Sequence, residues 1–133
     1  MSHSMSYPEY YPKLLEFVKT QEPPSGTDDS AKTRWTRTIE GFEASLESYL
    51  DAHTNAHKNY DLEVEDGNAQ LGFLSWLQHG NCPQFALEIS QVQTYVAILF
   101  ISGQQAFGAS FPSLLSENSV SEDEVDYDMQ KHY

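Results

Sequence analysis

Hydrophobic positions fall at helical spacing over the first half of the chain and at strand-like spacing over the second. Trp35, Ile39, Phe42, Leu46, Tyr49 and His53 are separated by four, three, four, three and four positions, with Leu50 widening the stripe. Such a rhythm marks one face of an amphipathic helix. It predicts a helix from about residue 31 to residue 57, with Asp29 or Ser30 placed to cap its start. Upstream, Tyr11, Leu14, Leu15, Phe17 and Val18 form the apolar side of a shorter helix over 8–20, where Pro8 or Pro12 suits the first turn. The intervening QEPPSGTDDS reads as a loop.

From Tyr60 the period changes. Leu62 and Val64 alternate with Asp61, Glu63 and Glu65, and Asp66-Gly67 supplies hairpin turn chemistry. Residues 69–77 fit a returning strand or a short helix, and HGNCP over 79–83 breaks the pattern. Phe85, Leu87 and Ile89 then alternate with Ala86, Glu88 and Ser90 like a half-buried strand. TYVAILFI over 94–101 reads as a fully buried one, and 106–111 adds a further candidate. A helix over 84–102 is the rival reading, because Pro83 and Gly103 stand at its two ends. Scattered polar residues and β-branched content weigh against it. The expectation is an α+β fold: two N-terminal helices on a small antiparallel sheet, with an all-α bundle as the alternative. Residues 1–7 would be a flexible start, 8–116 one domain and 117–133 an acidic mobile tail.

Charge changes the picture more than composition does. From Asn59 to Gln130 there is no lysine or arginine against eleven carboxylates, within a net charge of −13. Such a surface repels phosphates and membranes and attracts basic surfaces. Part of the run is uncharged core sequence, so the informative acids are narrower. Glu40, Glu43, Glu47 and Asp51 line the second helix beside its apolar face; Asp61, Glu63 and Glu65 follow, and Glu122, Asp123 and Glu124 lie in the tail. Six of the seven cations precede Asn59, and Lys32, Arg34 and Arg37 crowd the start of the second helix, against its dipole. That cluster is too small for nucleic acid amid so much opposing charge.

No catalytic pattern emerges. His53 and His57 lie one helical turn apart, a spacing able to hold a metal if Asp51 or Asp61 came near, yet the glutamate of a metalloprotease helix is missing. DLEVEDGN over 61–68 has the wrong residues at the sixth and twelfth positions for a calcium loop. Cys82 has His79 nearby but no orienting carboxylate in sequence. Neither a nucleophile elbow nor a phosphate loop occurs. No metal or cofactor is expected. A single cysteine excludes an intrachain disulfide and suits a reducing, cytoplasmic setting. The start lacks a signal-peptide pattern, and the longest unbroken apolar run, 95–101, is short of a membrane span.

The leading expectation is a non-enzymatic module whose carboxylates block a basic protein partner, such as a nuclease, in the manner of an inhibitor or immunity protein. An adaptor, secretion chaperone or assembly subunit is the alternative, binding through apolar surface with Tyr7, Tyr10, Tyr11 and Trp76 as anchors and with room for a homodimer. A small enzyme using His53, His57, Asp61 or Cys82 ranks third.

Overall fold

The computed structural model describes residues 5–67 and 72–120, except for the side chains of Leu74, Gln78 and His79. Helix α1 (Tyr7–Lys19) starts where the Ser6 backbone N–H donates to the Glu9 carboxylate at 3.4 Å, one arm of a capping box. Pro12 lies inside the helix rather than at its start, so one backbone hydrogen bond is missing there. Helix α2 (Asp29–Glu65) runs 37 residues, about 55 Å at 1.5 Å per residue. A short α3 (Phe73–Trp76) passes into a π-helical turn (Leu77–Asn81) bent at Gly80, whose φ is 80°. Helix α4 (Pro83–Phe107) and a closing α5 (Phe111–Glu117) complete the described chain.

The expected sheet is absent: among the described residues the protein is all-helical. The acidic segment 61–65 is the last turn of α2, not a hairpin strand. Its alternation misleads because Leu62 and Val64 are 58% and 48% exposed, so no apolar face is buried there. The two strands assigned within 85–101 are one helix. Its buried positions, Phe85, Glu88, Val92, Val96, Leu99, Ser102 and Ala106, follow helical spacing. Two of those positions are polar and several outer positions are apolar, so the two faces of α4 do not contrast in hydrophobicity. The segment 106–111 spans the end of α4, the turn at Gly108 and the first residue of α5.

Helices α2 and α4 pair antiparallel, since Thr38 meets Ser102 while Tyr49 meets Phe85. Small residues let them approach closely: a Cβ on Gly41 would collide with the Tyr95 ring. The core is largely aromatic. At one end Trp35 stands edge-on to Phe107 and Phe111, with centroids at 5.0 and 5.6 Å. In the middle Tyr11 packs on Phe42 and Tyr49. At the other end Phe73 gathers His53, His57, Tyr60, Trp76 and Phe85. The proposed anchors Tyr10, Tyr11 and Trp76 are therefore core residues, at most 7% exposed.

Candidate functional site

The inner face of α4 is filled by the α2 contact; among the described residues no other helix covers its outer face. Glu88 is the only charged residue in the 25-residue helix, and it is 7% exposed. Every solvent-facing position of α4 is thus uncharged, in a chain where 20% of residues are charged. Leu87, Ile98 and Ile101 are 51%, 38% and 57% exposed. Leu87, Thr94 and Ile101 repeat every seven residues, with Gln91, Ile98 and Gln105 four positions after each. This is the spacing of a helix-packing seam. The exposed side chains on it are apolar, amide or hydroxyl, so desolvating them strands no charge. Length and composition alone would let α4 cross a membrane, but its inner face is occupied by α2.

Sequence reasoning missed this surface because its apolar residues were assigned to buried strands. The available signal was the absence of charge from Ile89 to Ser116 combined with the heptad spacing.

The helix continuation brings most of the predicted carboxylates together on α2. At 100° per residue, Glu40, Glu43, Glu47, Asp51, Asp61 and Glu65 fall within about a quarter turn of one another, on a single helix. Glu63 points away from that track, and Lys58 interrupts it. Glu40, Glu47, Asp51, Asp61 and Glu65 are exposed. Glu43 accepts from Lys19 of α1 at 2.7 Å, in a pair whose side chains are 50% and 44% exposed. Glu122, Asp123 and Glu124 lie outside the described residues. The last turn of α2 carries no basic residue, so Asp61, Glu63 and Glu65 face the negative end of the helix dipole uncompensated. Its start is matched, with Asp28 at the N-cap and Asp29 in the first turn; Arg34 and Arg37 lie beyond that turn, and Arg34 donates to Gln105 of α4.

The third feature is an apolar cleft lined by Tyr7, Tyr11, Tyr49, His53, Phe73 and Phe85, with a cavity of about 60 Å³. Ligand pockets usually enclose roughly 300–1,000 Å³, so this cleft is smaller than a usual ligand site. His57 lies flat on Phe73 with centroids 3.9 Å apart, and the His53 ring is 4.7 Å from that of His57. Burial, and secondarily repulsion from His57, pulls His53 down to about 4. Burial also lowers His57, while nearby Asp61 acts in the opposite direction. Burial thus favours the neutral form of both rings, which pack as aromatic side chains. No group of three metal-ligating side chains occurs among the described residues. Cys82 is half-buried at the start of α4, and the side chain of His79 is outside the described set.

Comparison of the chain with family models, curated proteins and solved structures finds no match.

Proposed function

We propose that the protein is a non-enzymatic helical interaction module that docks a protein partner on the outer face of α4, as an adaptor or assembly subunit does. The supporting observation is the wholly uncharged solvent face of a 25-residue helix in a chain of net charge −13. Charge depletion at the centre with polar surroundings is the compositional mark of an interface core. Leu87, Ile98 and Ile101 would be the contact residues, in place of the tyrosines that the core absorbs. The reading is tested with a photo-crosslinking residue at Ile98, compared with one at Glu47, in extract of the native cell. Crosslinks to a defined protein from position 98, lost with Ile101→Glu, support it; capture only from position 47 overturns it.

A second reading keeps the acidic module. It is supported by the single helical face that carries Glu40, Glu43, Glu47, Asp51, Asp61 and Glu65. A cationic partner at the end of α2 would neutralise carboxylates that now oppose the dipole. An association rate unchanged between low and high salt argues against it.

A further inference from the structure

We infer that the partner of the α4 face is a second copy of this chain, with the two α4 helices antiparallel about a twofold axis through Thr94. The inference rests on the docking reading above and names its occupant. Thr94 is the midpoint between Leu87 and Ile101. An antiparallel pair about this point sets Leu87 against the partner's Ile101 and Thr94 against its own copy, so the two most exposed large apolar residues of the helix cover each other. This is the self-complementary arrangement that a twofold dimer requires. Laying one helix face on another over about 30 Å buries on the order of 1,000 Å² in total, the lower bound for a specific contact.

Charge selects this orientation. The α2–α4 hairpin has unlike ends. Lys32, Arg34 and Arg37 stand with Asp28 and Asp29 beside the end of α4, where Arg34 donates to Gln105. Asp51, Asp61, Glu63, Glu65 and Asp66 stand with Lys58 toward and beyond its start, where Phe85 meets Tyr49 and His53. The carboxylates at the C-terminal end of α2 oppose its dipole, with no basic residue in the last turn. In the antiparallel dimer Gln105 comes level with the partner's Pro83. Arg34 is thereby brought toward the partner's acidic half, where its charge meets carboxylates that the helix dipole leaves uncompensated. A parallel dimer would place like ends together. The same net charge of −13 on each copy opposes association over the rest of the surface, which leaves the uncharged face as the place where two copies can approach.

The test uses the purified full chain. Sedimentation velocity from about 1 to 300 μM should show a monomer–dimer equilibrium, and Ile101→Glu should weaken it at least tenfold, a loss of about 1.4 kcal/mol. The circular dichroism of that variant should remain helical, because the residue is exposed. In a Cys82→Ser background, Thr94→Cys should form a disulfide-linked dimer on mild oxidation. Ile101→Cys alone should not, whereas Leu87→Cys combined with Ile101→Cys should. Efficient self-crosslinking of Ile101→Cys would mean a parallel pair and overturn the inference. So would a monomer at 300 μM. In that case crosslinks from position 98 to a different protein leave the docking reading standing, and their absence removes both.

Discussion

A methyl group on Gly103 would stand 2.5 Å from the ring of Phe111, which is fully buried against Trp35 and Phe107. Glycine is therefore required in α4 for α5 to close over the end of the core. Gly103→Ala gains about 1 kcal/mol of helix propensity but overpacks a site that has no room to yield. The expected net loss is about 1–2 kcal/mol by urea unfolding. Gly41→Ala faces a Tyr95 ring that is only half-buried and can swing outward, so its loss should be smaller. Equal losses would contradict this ranking.

How far the sequence spoke follows from where its faces contrast. Helix α2 was legible because Trp35, Phe42, Leu46 and Tyr49 are buried and Glu40, Glu47 and Asp51 are exposed. Helix α4 was not, because Glu88 and Ser102 are inside while Leu87, Ile98 and Ile101 are outside. Periodicity reports the difference between two faces, and it fades when both are apolar. The strand readings and the overlooked uncharged face share that cause. The carboxylates were found individually; their common alignment depended on 61–65 being helical.

Between α2 and α4 the hydroxyls of Thr38 and Ser102 meet at 3.0 Å in a buried position. Thr38 donates to the Arg34 carbonyl at 2.7 Å, so Ser102 is the donor within the pair. Thr38→Val strands the Ser102 hydroxyl and should cost about 1–3 kcal/mol. Adding Ser102→Ala removes the stranded group and should recover part of the loss. A double-mutant cycle with no coupling would show that the contact contributes nothing.

Acidification should loosen the aromatic end. His53 is held near 4 in the folded chain, below the ordinary histidine value of 6.5, so between those pH values the unfolded chain binds the extra proton. Stability is then fully present above about pH 6.5 and declines as pH falls toward 4, by about 1–3 kcal/mol with allowance for partial exposure. His53→Phe should flatten that part of the unfolding profile. A profile of unchanged slope in the variant would assign the dependence elsewhere.

Glu88 is a buried carboxylate with one oxygen accepting from Gln84 at 2.7 Å and the other, Oε2, lacking a hydrogen-bond partner. Replacing a poorly compensated buried charge with an apolar residue of similar volume is often stabilising. Glu88→Met should raise unfolding stability by about 1–3 kcal/mol at pH 7. A fall would mean that the charge is compensated in solution.

The last turn of α2 extends past Tyr60, whose ring sits 5.5 Å from Phe73 and 5.4 Å from Trp76. Beyond it Asp61, Leu62, Val64 and Glu65 are exposed, and nothing in their own turn favours the helix end. The far end of the acidic track is therefore an overhang clamped by a single aromatic hinge pin. Amide exchange should quicken sharply after residue 60, and Phe73→Ala should let the overhang fray, taking Asp61 and Glu65 out of line with Glu40 and Glu47 while the hairpin behind them stays folded.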